Sequence, residues 1–262
     1  MHMSEAIVTV SATDYLRGIL ARESVDAGMH SPLRQLEALV DNVCRIWAEH
    51  HLIEVYPTGA FEKGTANRSG MAIDFLVSLS PATTYAMPDV HETLFEALGE
   101  AGLEPLRRNV SLGVRLDGVA IDIAPARRIA LSTDEHVLFS HRTGKTFTTN
   151  LTQHVLDTIA CGRREEIRIL KLWRDQHGLD LPSFTLELAV LAALRRRPAG
   201  ELSDNVWTVL GYLESLFSAR SLLDPANANN IVSDEMSAAQ KETVRRAAQY
   251  ARAGRSWQEI IR

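Results

Sequence analysis

Residues Tyr56 to Val77 read YPTGAFEKGTANRSGMAIDFLV. The stretch opens with a short glycine-containing turn, Thr58-Gly59-Ala60, passes through Lys63-Gly64-Thr65, and ends in Ile73-Asp74-Phe75-Leu76-Val77. That last run is apolar except for one carboxylate, the pattern of a buried strand carrying a single functional residue. A carboxylate inside a core strand is costly unless positive charge meets it there. A divalent metal ion is the simplest partner, because hard cations take carboxylate oxygens.

A second stretch has the same form. Gly118-Val119-Ala120-Ile121-Asp122-Ile123-Ala124-Pro125 reads as an apolar strand with one acid and a proline stop. Two such strands in one sheet would bring Asp74 and Asp122 together. Taken singly, either acid reads equally well as a strand-end group facing water. Together with the glycine turn, the pair favours a metal site.

These residues resemble the nucleotidyltransferase signature of the DNA polymerase β-like superfamily. The nearest likeness is to the branch holding archaeal CCA-adding enzymes, oligoadenylate synthases and bacterial CD-NTases (cGAS-like enzymes). That signature runs Gly-Ser, a few residues, Gly-Thr, then Asp-x-Asp on one strand and a third Asp on a later strand. The matching positions are Gly59-Ala60, Gly64-Thr65, Ala72-Ile73-Asp74 and Asp122. The usual serine is Ala60, and the first metal-binding aspartate is Ala72.

The resemblance implies Mg2+ between three carboxylates and a nucleoside triphosphate, serving the attacking hydroxyl and the leaving pyrophosphate. Ala72 faces the same way as Asp74, since strand side chains alternate with a period of two, but it has no oxygen to offer. Two explanations compete: a naturally inactive relative, or a deliberately disabled protein. The leading Met1-His2-Met3 reads as a cloning remnant ahead of a natural start at Met3, which favours the second.

A length of 262 residues suits one large domain or two small ones. The net charge of −5 argues against a global polycation for duplex DNA. Cys44 and Cys161 lie far apart without metal-ligand spacing and read as reduced, buried thiols. The absence of a signal peptide or of an apolar run of the ~18 to 20 residues that span a bilayer predicts a cytoplasmic location.

The apolar spacing predicts helices over Ser11–Val25 and from Pro32 to about His50, then the signature strands. A helix over Asp89–Ala101, stopped by Gly102, leads to strands over Leu103–Arg108 and Val110–Leu116. Asp117-Gly118 is a hairpin signal that turns into the Asp122 strand. Glycine turn, helix and acid-bearing strands fit an α+β nucleotidyltransferase mixed sheet with flanking helices. Leu131–Asn150 reads as a polar loop, either a solvated connector or a nucleotide or acceptor channel.

From Thr152 the pattern is helical to the end, interrupted by a turn-rich loop at Leu222–Asn230. The resembling branch has an Asp-Pro…Asn-Asn element there, so the likeness extends over nearly the whole chain. Two lobes are expected: a catalytic lobe over residues 1–151 and an all-helical lobe over 152–262 that closes the nucleotide cleft.

Lys171, on the predicted helix Glu165–His177, reads as a solvated charge or, by the resemblance, as a ligand of the triphosphate tail. Ser183 is a natural cap for the next helix, and a helix N-terminus welcomes phosphate oxygens. Glu187 near that first turn would favour the helix dipole. The resemblance places Asp74 and Asp122 as metal-binding catalytic groups, with Ala72 at the position of the expected first Asp. It places Gly59, Ala60, Thr65, Lys171 and Ser183 at the nucleotide.

The reaction so implied is transfer of a nucleotidyl group from a nucleoside triphosphate to a hydroxyl. The product would be a short oligonucleotide or a nucleotide second messenger, in the setting of bacterial antiviral defence. The alternatives are a non-catalytic nucleotide- or partner-binding pseudoenzyme, which Ala60 and Ala72 favour, and a primer-dependent tailing enzyme with an oligonucleotide acceptor.

Overall fold

A computed structural model describes residues 11–26, 28, 30–198 and 200–262; the Met1-His2-Met3 reading lies outside the described residues. The described residues begin with α1 (Ala12–Arg22), α2 (Gln35–Ala48), β1 (Leu52–Thr58), α3 (Gly59–Glu62) and β2 (Ala72–Leu79). It continues with α4 (Met87–Glu100), β3 (Leu106–Arg107), β4 (Leu112–Leu116), β5 (Val119–Arg128), β6 (His136–Ser140) and β7 (Lys145–Thr149). Next come α5 (Leu151–Ala160), α6 (Arg164–Gln176), α7 (Ser183–Leu194) and α8 (Leu202–Ser215). A small hairpin of β8 (Leu223–Asp224) and β9 (Asn227–Ile231) precedes α9 (Ala238–Ala253) and α10 (Trp257–Ile260).

Local chemistry sets several boundaries. Ser11 Oγ accepts from the Asp14 N–H and caps α1. Gly102, at φ +79°, ends α4, while the Leu103 N–H donates back to Leu98 O. Asp117 and Gly118 both take positive φ, the demand of a tight two-residue turn between β4 and β5.

The chain divides into two compact units. The sheet unit spans Val25–Arg164 and Ser221–Ser237; the other takes the described residues up to Ser24, with Glu165–Arg220 and Ala238–Arg262. Among the described residues, the sheet unit holds a seven-stranded mixed sheet in the order β1-β2-β5-β4-β3, with β6 paired to β5 and β7 to β6. β2 and β5 are parallel, and β1 and β4 run antiparallel to them on either side. Ile73, Phe75, Val77, Ile121 and Ile123 point to one face and join α2 and α4 in the main core. The alternate positions face the other way, where Leu76, Ala124, Ala126 and Leu138 form a smaller cluster.

The second unit is helical. α7 is apolar on nearly every side and buries Leu186, Ala189 and Val190, as a central helix does. α8 packs on α7 and on α9, burying Val206, Leu210 and Leu213 with Val244 and Ala248. No described helix is long and apolar enough to cross a membrane.

Four expectations need correction. Pro125 does not stop the strand: β5 runs on to Arg128, because β4 has left it by Ile123 and β6 joins only at Arg127. The proline thus sits where that edge has no partner needing its missing N–H. Leu131–Asn150 is not a connector but contains the β6–β7 hairpin, closed by a turn that ends at Gly144 with φ +65°. Its polar flanks hide the apolar Val137-Leu138-Phe139 run. Leu222–Asn230 is likewise a hairpin rather than a free loop. Finally, Thr58-Gly59-Ala60 enters a helical turn, α3. Cys44 is buried as expected, and burial pushes its thiol up to about 12, whereas Cys161 is only half-buried.

The β8–β9 hairpin is tied to β7 and α5 by a buried network. His154 Nε2 lies 2.7 Å from Asp224 Oδ1, the Thr149 hydroxyl donates to Asp224 Oδ2 at 2.6 Å, and Asn230 Nδ2 donates to the same oxygen at 3.1 Å. Asn227 and Asn230 side chains both donate to Thr148 O. Burial alone would raise the Asp224 carboxyl, but bonds from His154 and Thr149, the imidazole charge and the bond from Asn230 outweigh it and hold it at about 2, below its ordinary 3.8. A lowered carboxyl stabilises the fold above its unfolded value, and that contribution is lost as pH falls through the folded value. Urea unfolding between about pH 4 and pH 2 should therefore lose stability more steeply for the parent than for Asp224→Asn. Equal slopes would show that the network does not depend on the ionised acid.

Candidate active site

The parallel register of β2 and β5 sets Asp74 directly beside Asp122, and Ala72 beside Ala120. Neighbouring strands lie about 4.8 Å apart, and side chains at matched positions share a face. Both acids stand on the face away from the main core, since Ile73, Phe75, Ile121 and Ile123 occupy the core side. Ala72 shares the acids' face two residues before Asp74. Among the described residues, no group of three or more His, Cys, Asp or Glu side chains is arranged to hold a metal ion.

The glycine turn packs against the first acid. Gly59 has φ +63°, and a Cβ on it would collide with the Asp74 carboxylate. Only glycine fits both the backbone angle and the approach. The next amide, Ala60 N–H, donates to Asp74 Oδ2 at 3.3 Å. Thr65 is wholly buried, and its N–H closes the turn on Ala60 O at 2.9 Å. Glu62 accepts from Arg34 Nη1 at 2.8 Å, and the same guanidinium lies 5.0 Å over the Phe61 ring. Arg34 therefore anchors α3 from outside the signature.

The second acid has a cationic neighbour. Arg108 Nε lies 3.7 Å from Asp122 Oδ1. Burial raises the Asp122 carboxyl, and Arg108 opposes that rise. The sequence reading placed Arg108 at the end of a strand over Leu103–Arg108; the strand is only Leu106–Arg107, and Arg108 turns toward the site. A usable signal was present in the hairpin: Asp117-Gly118 fixes the β4–β5 register and sets small Gly113 opposite Asp122, so the residues just before β4 lie beside the acid.

Lys171 and Ser183 belong to the helical unit. Lys171 is buried and its Nζ donates to the buried Glu187 carboxylate at 2.8 Å. Glu187 is thus an ion-pair partner rather than a group placed for the dipole of α7. Ser183 is not the cap of that helix: Pro182 holds the cap position, and Ser183 lies in the first turn with its Oγ accepting from Arg174 Nη1 at 2.8 Å.

Neither a family model nor a curated protein matches the chain. Solved structures do. The chain is similar to the E. coli MS115-1 CdnC:HORMA-deltaN complex with a TM-score of 0.74 and 18% identity, over 93% of this chain and 90% of that one. The Bradyrhizobium diazoefficiens CD-NTase CdnG in complex with GTP gives 0.70 at 13% identity, over 92% and 91%. A mutant of the Cid1 poly(U) polymerase bound to MgATP gives 0.62 at 13% identity, over 94% and 95%. At such identities the likeness is one of fold. The chain has the nucleotidyltransferase fold, in agreement with the signature at Gly59 to Asp74.

Two substitutions probe the two halves of this description. Gly59→Ala forces a Cβ into Asp74 and a left-handed backbone, and should cost at least ~1–2 kcal/mol in urea unfolding. A loss below about 0.5 kcal/mol would mean the turn relaxes freely. Lys171→Ala removes the ammonium facing a buried carboxylate and should cost ~3–5 kcal/mol, whereas Lys171→Ala with Glu187→Ala should cost less than the single change. A double mutant as unstable as the sum of its parts would show the pair is not coupled.

Proposed function

We propose that the chain is a nucleotidyltransferase that takes nucleoside triphosphates and makes a short oligonucleotide or a nucleotide second messenger. The observation that carries this reading is the side-by-side placement of Asp74 and Asp122, with the Gly59-Ala60 turn closed over Asp74. In the reaction an acceptor hydroxyl oxygen bonds to the α-phosphorus of the triphosphate, and the bond from that phosphorus to the pyrophosphate oxygen breaks. The acceptor proton leaves toward the carboxylates, which sit where negative charge must be managed.

Two carboxylates on one face are a hard-oxygen donor set that fits a divalent ion, provided substrate and water oxygens complete its shell. Asp74 and Asp122 would hold Mg2+. When bound, it lowers the barrier by neutralising phosphate charge and making the hydroxyl a better nucleophile. Ala72 withholds the third carboxylate, so this chain is read as an inactivated form. In this reading the Gly59-Ala60 turn, which already brings an N–H to Asp74, would also meet the β- and γ-phosphates. Lys171 and Ser183 meet the triphosphate tail in this reading, which requires them to exchange Glu187 and Arg174 for phosphate oxygens.

A second reading, a nucleotide- or partner-binding pseudoenzyme, is favoured by Ala60 and Ala72 themselves. A third, a primer-dependent tailing enzyme, is favoured by the shared fold with the poly(U) polymerase. Ala72→Asp separates them. For a disabled enzyme, that change alone restores Mg2+-dependent pyrophosphate release by several orders of magnitude, while triphosphate affinity changes far less. Release without a primer favours a messenger or oligomer synthase; release only with an oligonucleotide favours tailing. No release with any ribonucleotide or deoxyribonucleotide, alone or mixed, would sink the enzyme reading.

A further inference from the structure

Arg108 lies in the short link between β3 and β4, where its own N–H donates to Ser111 O at 2.9 Å. That bond fixes the backbone and leaves the long side chain as the movable part. The side chain is 59% exposed, yet its Nε stops 3.7 Å from Asp122 Oδ1. Gly113 makes this approach possible. It stands opposite Asp122 in the β4–β5 register, and a Cβ on it would lie 3.0 Å from Arg108 Nε and 3.1 Å from Asp122 Oδ1. Glycine weakens a strand interior, and a close approach is a standard reason for one there.

A divalent ion bound through Asp122 would compete with the guanidinium for the same carboxylate and would repel it at close range. We propose that Arg108 is a phosphate-binding residue held in reserve by Asp122: it docks on the acid when no divalent ion is bound, and turns onto the triphosphate when the acid takes one. This rests on the reading of Asp74 and Asp122 as the nucleotide site. The planar fork of a guanidinium matches phosphate oxygens, and a half-exposed pair of this kind is weak enough to exchange.

The consequence is a pair of affinity changes of opposite sign. Mn2+ is titrated by electron paramagnetic resonance into the full chain without nucleotide, and ATP and GTP binding is measured separately with Mg2+ by calorimetry. Arg108→Gln should bind Mn2+ about threefold more tightly, the scale of a lost competing surface pair. The same variant should bind the triphosphates about tenfold more weakly, the scale of a lost bond to a charged group. A general folding defect would weaken both. If Asp122→Asn abolishes Mn2+ binding while Arg108→Gln shifts neither affinity, or shifts both the same way, the role of Arg108 is overturned and the acid site stands. If Asp122→Asn changes neither Mn2+ binding nor Mg2+-dependent triphosphate binding, the reading of the acid site itself falls, and the role of Arg108 with it.

Discussion

The parallel pairing of β2 with β5 is the constraint on which the site depends. The register Asp74 to Asp122 is not set by the acids, which repel one another. It is set by what lies between and beside them. Ile73, Phe75, Val77, Ile121 and Ile123 are buried in the main core together with α2 and α4. A slip of one residue would turn those side chains to the other face and drive both carboxylates into apolar packing. Each buried Ile or Phe is worth about 1.5–3 kcal/mol, so the apolar face outweighs any repulsion between two half-buried acids. The core therefore does the aligning, and the acids are carried along by the alternation of the strands.

The same logic explains why the turn before β2 needs glycine. With the register fixed, Asp74 has one direction to point, and the chain leaving β1 must pass directly over it. At Gly59 there is no room for a methyl group and the backbone is left-handed. The close passage delivers the Ala60 amide to the carboxylate. On the other side, Gly113 plays a similar part for Arg108 and Asp122. Two glycines in two different connections thus let cationic or N–H groups approach two acids that the core has placed together.

The legible parts of the sequence were those in which local pattern and tertiary role agree. Apolar runs broken by single acids gave β2 and β5, helical spacing gave α2, α4 and α6, and Asp117-Gly118 gave the β4–β5 turn. The illegible parts were those in which side chains do work that composition disguises. The β6–β7 hairpin looked polar because its threonines and His136 flank a short apolar run; the buried His136 ring in fact bonds the Ser78 hydroxyl at 2.8 Å. The β8–β9 segment looked like a loop because asparagines commonly make turns, as Asn227 Oδ1 does by accepting from the Asn229 N–H, but Asn227 and Asn230 also donate to Thr148 O. Lys171 was read as a solvated charge or a phosphate ligand and Glu187 as a dipole partner of its helix, and only the fold brings the two together as a pair. Arg108 was hidden for a simpler reason: its tie to Asp122 shows only when the Asp117-Gly118 register is carried back along β4 to the residues ahead of it.

Position 72 can now be weighed against the fold around it. An aspartate there would join two acids on the same face, and three neighbouring carboxylates repel unless a cation is present. With alanine, Asp74 and Asp122 stand beside the Arg108 guanidinium and no third carboxylate adds its charge to theirs. The cost of a third acid is therefore electrostatic rather than steric. Ala72 is half-buried, and its register partner across β5 is Ala120, also half-buried, so a carboxylate would face a methyl group rather than a bulky side chain. Neither the core nor the glycine turn has a stake in the identity of this residue, because both are built from the opposite face and from Asp74. What changes at position 72 is the number of oxygens that this face offers to a cation.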